Sequence, residues 1–174
     1  MTARNSTSDW GSVSRFFHWA MATMFVVQYL AGEFDDFFGG SRFHVSLGLS
    51  LLGLALLRLL WRLSNPVPRA ISSGLPIERT LARLVHYAWY VLMFALPVSG
   101  MIWRQASGKS LSFWGWFQLP VVLDKDKPLA HQAHEIHELL GTIALVLLAL
   151  HVFAALKHHY FDRDASLLRM LGRR

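Results

Sequence analysis

Residues 137–151 of the chain read HELLGTIALVLLALH. His137 and His151 enclose an apolar run in which Glu138 is the only charged residue. Such a run predicts a helix, and a spacing of two heptads at ~100° per residue returns both imidazoles to nearly the same helix face. At ~1.5 Å per residue, the two side chains are separated by roughly 21 Å along the helix. One helix therefore offers two coordinating side chains at two depths.

This stretch belongs to the last of four long apolar segments, which cover about residues 14–31, 44–63, 81–103 and 136–160. Each segment is close to the ~20 residues that cross a bilayer core as a helix. The chain of 174 residues is 53% hydrophobic and 16% charged, whereas soluble domains contain about 25% charged residues. We therefore predict an all-α integral membrane four-helix bundle that forms a single domain over residues 1–174.

The basic residues are distributed unevenly between the two ends of the predicted helices. If the N-terminus is cytoplasmic, the residues at the inner side are Arg4, Arg15, Arg58, Arg62, Arg69, Arg79, Arg83, Lys157, Arg163, Arg169, Arg173 and Arg174. Those at the outer side are Arg42, Arg104, Lys109, Lys125 and Lys127. This bias follows the positive-inside rule and predicts that both termini face the cytoplasm. Topology thus explains the net charge of +6, and we expect no nucleic-acid binding.

Histidines on the other predicted helices lie at the same two depths. His44 begins the second segment at its outer end, level with His137, and His18 lies near the inner end of the first, level with His151. The absence of cysteine excludes thiolate metal sites and covalently attached c-type haem. Two histidine pairs at two depths are what two six-coordinate b-type haems require for electron transfer. His86 also lies at the inner level, so spacing alone does not decide whether His18 or His86 pairs with His151.

A glycine follows each proposed outer ligand by four residues, Gly48 after His44 and Gly141 after His137. Residues four apart share a helix face, so each glycine lies one turn deeper than the imidazole. The missing side chain would leave room there for a flat porphyrin. The alternative is that these glycines only allow two helices to approach closely.

Three further histidines each allow two interpretations. His131 and His134 are either solvated residues of a loop or helix entry, or ligands of a transition metal at the outer face. His158 lies seven residues past His151 and shares its face at the inner interface. It is a candidate for delivering protons to a quinone beside the inner haem. The alternative is an interfacial histidine in the headgroup region.

The long outer connection contains FWGWF at residues 113–117. Aromatic residues of this kind are typical of the membrane interface. We interpret the segment as a short stretch lying on the membrane surface, with a lid over a substrate as the alternative. Arg42, two residues before His44, is the candidate for electrostatic steering of an anion, and its alternative role is to pair with a haem propionate or with the acidic loop.

These pieces occur together in the bacterial cytochrome b561 family, which the chain resembles over nearly its whole length. The matching stretches are FHW at 17–19, HVSLG at 44–48, ALPVSG at 95–100, HELLG at 137–141, His151, and HHYF at 158–161. The resemblance implies two haem b groups whose ligands are His18, His44, His137 and His151. It therefore favours His18 over His86 at the inner haem.

The same resemblance implies a place in the bacterial inner membrane and a role in passing electrons to ubiquinone. Some members look like superoxide oxidases, so we expect superoxide to be oxidised at the outer haem and quinone to be reduced near the inner one. The alternative is a subunit without a substrate of its own, which relays electrons between a partner dehydrogenase or hydrogenase and quinone. A metal transporter that uses the histidines would instead contain no haem.

Overall fold

The computed structural model describes residues 2–69, 71 and 76–173. Of the basic residues counted above, Arg174 and the side chain of Arg79 lie outside the described part. The elements follow in the order α1 (Ser12–Glu33), α2 (Ser41–Leu63), α3 (Pro76–Ala106), β1 (Leu111–Phe113), β2 (Phe117–Leu119), α4 (Lys127–Tyr160) and α5 (Ser166–Leu171). The chain is mostly helical, as its apolar segments predict.

A β-hairpin between α3 and α4 corrects the prediction of an all-α fold. Strands β1 and β2 are antiparallel, with Leu111 opposite Leu119 and Phe113 opposite Phe117. The aromatic segment at 113–117 therefore forms the turn of a hairpin. Its exposed aromatic residues, Trp116 among them, are suited to the membrane interface, so the interpretation as a surface-lying segment stays a prediction.

The hairpin is fixed to α2 by two serine hydroxyls. The backbone amide of Trp114 donates to the Ser46 hydroxyl at 3.0 Å, and its indole N–H donates to Ser50 at 3.0 Å. Ser46 in turn donates to the carbonyl of Ser112 at 3.1 Å. Trp114 and Gly115 have φ values of 51° and 75°. The positive φ costs Trp114 roughly 1–2 kcal/mol, which these hydrogen bonds offset.

Helix α4 begins at Lys127 and not near residue 136. The Asp126 side chain caps it by accepting a hydrogen bond from the Leu129 amide at 3.0 Å. Pro128 lies in the first turn, where the missing amide proton removes no helix hydrogen bond. His131 and His134 accordingly lie on the helix and not in a loop.

The helices pack as a series of neighbours. Helix α3 packs most extensively on α4, α1 on α2, and α2 on α3, while α5 packs on α4. Small residues allow the close approach, and the most deeply buried are Ala31, Ala55, Ala106 and Ala144. Within the described residues, α4 does not pack closely on α1 or α2. The interior between α4 and these two helices is where the histidines lie.

Large apolar side chains cover the outside of the molecule. Val146, Leu150 and Phe153 form a stripe on α4 and are 54%, 55% and 70% exposed. Exposed apolar faces of this extent are suited to lipid. Among the described helices, three are long and apolar enough to cross a membrane, namely α2, residues 80–106 of α3, and α4. Helix α1 was predicted as a fourth span and is not one of these three.

Both terminal segments lie at the same end of the molecule. The Trp19 indole on α1 donates to the carbonyl of Met170 on α5 at 3.0 Å. The Arg169 guanidinium donates to the Arg69 carbonyl beyond α2 at 3.2 Å. We call this the termini end, and the opposite end, which holds the β1–β2 hairpin, the hairpin end.

Candidate functional site

At the hairpin end, α2 and α4 bring two imidazoles together. The rings of His44 and His137 have centroids 6.1 Å apart at an interplanar angle of 79°. His44 lies in the first turn of α2, and His137 lies about three turns into α4. The pairing predicted from their matching depths is therefore present in the fold.

Each ring of this pair is held through its Nδ1 atom. Nδ1 of His44 lies 3.1 Å from the carbonyl oxygen of Gln28 on α1. Nδ1 of His137 lies 3.0 Å from the Leu96 carbonyl oxygen on α3 and 3.0 Å from the Ser99 hydroxyl. A carbonyl only accepts, so Nδ1 carries the ring proton and Nε2 is left with a free lone pair. Metal-binding histidines are commonly oriented by such a hydrogen bond.

Two glycines besides Gly48 and Gly141 make room for the imidazole rings themselves. A Cβ at Gly32 would lie 3.1 Å from Cε1 of His44, and a Cβ at Gly100 would lie 3.1 Å from Cε1 of His137. A Cβ at Gly48 would instead lie 3.1 Å from Nε2 of Gln28. At Gly141 a Cβ would meet no described atom within 4 Å. Gly32 and Gly100 lie on helices adjacent to the histidines, so spacing within one helix gave no signal for them.

A cavity of about 150 Å³ lies beside this pair and has basic side chains in its wall. Its lining includes both imidazoles together with Arg104 and Lys109. Arg104 is held by donating from Nε to the Ser110 carbonyl at 2.8 Å and from Nη1 to the Ser41 hydroxyl at 3.3 Å. Arg42, the steering candidate from the sequence, does not line the cavity. Arg104 and Lys109 are sixty or more residues from His44 in sequence, so only the fold reveals their place.

At the termini end, three imidazoles meet instead of two. The His151 ring centroid lies 6.2 Å from that of His18 on α1 and 6.1 Å from that of His86 on α3. The ring distances therefore do not choose between the two partners, as the spacing in the sequence did not. The Trp19 indole contacts His18 edge-on at 5.2 Å between centroids.

The other histidines of the hairpin end are engaged with local partners. His131 lies 3.3 Å from Glu135, and His134 lies 3.4 Å from Glu138 while its ring contacts Trp103 at 4.0 Å between centroids. Among the described residues, no group of three or more histidine and carboxylate side chains is placed to hold a metal ion. The transition-metal site at His131 and His134 stays an alternative interpretation, and each of the two rings contacts a glutamate one turn further along α4.

His158 lies in an ionic network at the termini end. Its Nδ1 is 2.6 Å from the Asp162 carboxylate and 3.7 Å from that of Asp164. Lys157 bridges Asp162 at 2.9 Å and Glu78 of α3 at 2.8 Å. The hydrogen bond from Lys157, with a smaller contribution from His158, holds the pKa of the Asp162 carboxyl below its usual 3.8, despite partial desolvation. The network joins α3, α4 and the segment that follows α4.

Asp162→Asn should lower the midpoint of thermal unfolding at neutral pH by a few degrees at most, because ion pairs in contact with water contribute little. The lowered pKa means that the carboxylate stabilises the fold fully above 3.8 and loses this effect as the pH falls through its folded value. Thermal unfolding in detergent from neutral to acidic pH measures the difference, with Asp36→Asn in the α1–α2 turn as control. A difference that persisted unchanged in acid would contradict the assignment.

Apolar helices with histidines meeting at both ends define the chain as a multi-pass membrane protein with two candidate metal-ligand sites. The chain belongs to the prokaryotic cytochrome b561 family, whose model matches residues 9–173. This family carries out electron transfer in membranes and is associated with b-type haem.

Three similar proteins cover most of the chain. It is 34% identical to cytochrome b561 homolog 2 of Escherichia coli K12, over 99% of this chain and 96% of that protein. It is 31% identical to cytochrome b561 homolog 1 of the same organism, over 91% and 94%. It is 29% identical to the probable superoxide oxidase CybB of Yersinia pestis, over 90% and 92%.

The residues present fit a b-type haem. Metal–imidazole bonds are about 2.0 Å long, so an iron between two imidazoles needs their nitrogens about 4 Å apart. Ring centroids 6.1 Å and 6.2 Å apart are compatible with that spacing. At the hairpin end, Nε2 of both rings is free for the metal. His44 and His18 face α4 from α2 and α1, two helices that do not pack closely on α4 in the described part of the chain.

Proposed function

We propose that the protein is a dihaem membrane cytochrome in which His44 and His137 hold one haem b and His18 and His151 hold the other. The observation that carries the proposal is the meeting of imidazoles from different helices at both ends of α4. When bound, two such haems supply one-electron carriers at two depths of the membrane. Each iron would be held by two imidazole nitrogens, and such an iron would be suited to electron transfer rather than to oxygen binding.

We propose further that α1 completes a four-helix bundle with both termini in the cytoplasm. Helix α1 packs on α2, and the terminal segments contact one another at the same end, as an even number of spans requires. The side chains that make α1 less apolar include His18 and Gln28. Gln28 faces the bundle interior, where its side-chain amide donates to the backbone carbonyl of His44 at 3.0 Å and its backbone carbonyl lies 3.1 Å from Nδ1 of His44. Together with the distribution of basic residues, this supports placing the termini end at the cytoplasmic side of the inner membrane.

The substrate proposed for the outer face is superoxide. One relative is named a probable superoxide oxidase. The cavity beside His44 and His137 has Arg104 and Lys109 in its wall, and cations there would attract a small anion. Two superoxide anions give up one electron each and become two molecules of oxygen. Those electrons and two protons from the inner side convert one quinone to quinol, so charge and atoms balance.

The quinone site is proposed at the termini end. A groove of about 810 Å³ lies between α1 and α5, and its wall is largely apolar, with Phe16, Trp19 and Met24 on one side. Such a wall is suited to an isoprenoid chain, and Trp19 contacts His18. His158 lies at the same end, where its Nδ1 is 2.6 Å from the Asp162 carboxylate, which is itself 2.9 Å from Lys157. His158 is not part of the groove wall, and we propose that it delivers protons towards the quinone from this ionic network.

A superoxide pulse applied to the purified protein in detergent tests the proposal. We expect about two haems per chain, fast reduction of the haem spectrum, and reoxidation once ubiquinone is added. Charge reversal at the cavity, in Lys109→Glu, should slow the reduction several-fold and weaken its dependence on salt, with Lys125→Glu as control. Preparations without haem would overturn the whole proposal.

The alternative is a relay subunit that passes electrons between a partner enzyme and quinone. It is favoured by the names of the two relatives above 30% identity, which specify a cytochrome and no substrate. A dihaem spectrum that does not respond to superoxide, together with copurification of a partner in fixed proportion, would select this alternative.

A further inference from the structure

Helix α2 repeats the spacing that α4 uses for its two histidines. Arg58 follows His44 by fourteen residues, as His151 follows His137. Arg58 therefore lies on the same face of α2 as His44, roughly 21 Å closer to the termini end. Where the hairpin end has an imidazole from α2, the termini end has a guanidinium.

The surroundings of Arg58 confirm that it reaches the cluster of imidazoles. The Arg58 side chain is partly buried within the protein, and Nη1 lies 3.9 Å from the sulfur of Met21 on α1. The guanidinium is close enough to His18, His86 and His151 to interact with each electrostatically. The Tyr90 side chain on α3 is also within interaction range.

In the described part of the chain, no carboxylate lies within ion-pairing distance of Arg58, although seven such ion pairs occur elsewhere. A cation inside a membrane-spanning helix without a counter-ion is costly. Arginine cannot lose its charge to relieve that cost. Thioether and phenol groups are weak partners for it, so the cation is suited to an anion that is not part of the protein chain.

We propose that Arg58 is the counter-ion of a propionate carboxylate of the haem bound at the termini end. The inference rests on the dihaem function proposed above. Haem b is held without covalent bonds and carries two propionates, which are carboxylates of the kind that a guanidinium binds through two parallel hydrogen bonds. The positive charge also favours the reduced state of the nearby iron, so Arg58 would make this haem easier to reduce than it would be without the guanidinium.

The test compares Arg58→Met and Arg58→Lys with Arg62→Gln as a matched control. Arg62 is a cation on the same helix, one turn closer to the termini end, and its guanidinium lies 5.5 Å from the Tyr90 ring centroid. A redox titration of the purified holoprotein should resolve two one-electron waves. In Arg58→Met, the equilibrium constant for reduction of one haem should fall at least tenfold. This corresponds to a midpoint potential lower by about 59 mV for a one-electron couple. The other wave should stay within a factor of two.

Arg58→Lys should recover most of that shift, and Arg62→Gln should cause less than half of it. A second measurement is the haem content per chain, which should fall below two in Arg58→Met while the protein remains monodisperse, and the shifted wave should come from the chains that keep both haems. Two full haems with both waves unchanged in Arg58→Met would overturn the inference and leave the dihaem function intact. A wild-type protein with a single wave and a single haem would instead overturn the dihaem function and this inference with it.

Discussion

The purified His137→Ala variant should contain about one haem per chain, against the two proposed for the wild type. His137 faces His44 across 6.1 Å, and its Nδ1 is fixed by the Leu96 carbonyl, so Nε2 is the free ligand atom on α4 at the hairpin end. Alanine offers no ligand, and a haem b without its axial nitrogen dissociates because nothing binds it covalently. The haem content measured by the pyridine haemochrome spectrum, divided by the protein concentration, reports the loss.

The matched control is His134→Ala on the same helix. His134 contacts Trp103 and Glu138 and does not face a second imidazole in the described residues, so this variant should keep two haems. The oxidation of superoxide should be lost in His137→Ala and retained in His134→Ala. Full haem content in His137→Ala would show that the hairpin-end pair is not a haem site.

The His18→Ala variant should lose the haem of the termini end, whereas His86→Ala should keep both haems. The two rings lie equally close to His151, so the distinction comes from the helices that carry them. Helix α3 packs directly on α4, and a macrocycle does not fit between two backbones in contact. Helix α1 does not pack closely on α4, and His18 can therefore face His151 across a wider gap.

Haem content again measures the outcome, supplemented by the low-spin signals of the oxidised protein in electron paramagnetic resonance. His18→Ala should retain the signal of the hairpin-end haem alone. The reverse pattern, with haem lost in His86→Ala and kept in His18→Ala, would reassign the ligand to α3. Loss of haem in both variants would contradict the view that His86 is dispensable.

Periodicity predicted the parts of this fold that depend on one helix at a time. The spacing of His137 and His151 fixes their face and depth because helix geometry is nearly constant. The same reasoning placed His44 level with His137, and the two rings are in fact adjacent. It also left the partner of His151 open, since depth along a helix carries no information about which neighbours pack tightly.

The features that periodicity missed depend on contacts between distant segments. Gly32 and Gly100 make room for imidazoles that belong to other helices. The hairpin depends on a turn at Trp114 and Gly115, and serines of α2 stabilise it. The start of α4 was also missed, although its signal is local. Asp126 and Pro128 form a helix-capping pattern that lies before the apolar residues used to place the helix.

Helix α4 runs without interruption between its two proposed ligands, and this restricts how the gene can change in length. One codon inserted between His137 and His151 would rotate every later residue by ~100° and shift it by ~1.5 Å, so one imidazole would leave the interior. Residues 123–125, in the connection between β2 and α4, bear no such restriction, because surface connections tolerate insertions. Among descendants of this gene, insertions and deletions should therefore accumulate in that connection and be eliminated between the two histidines.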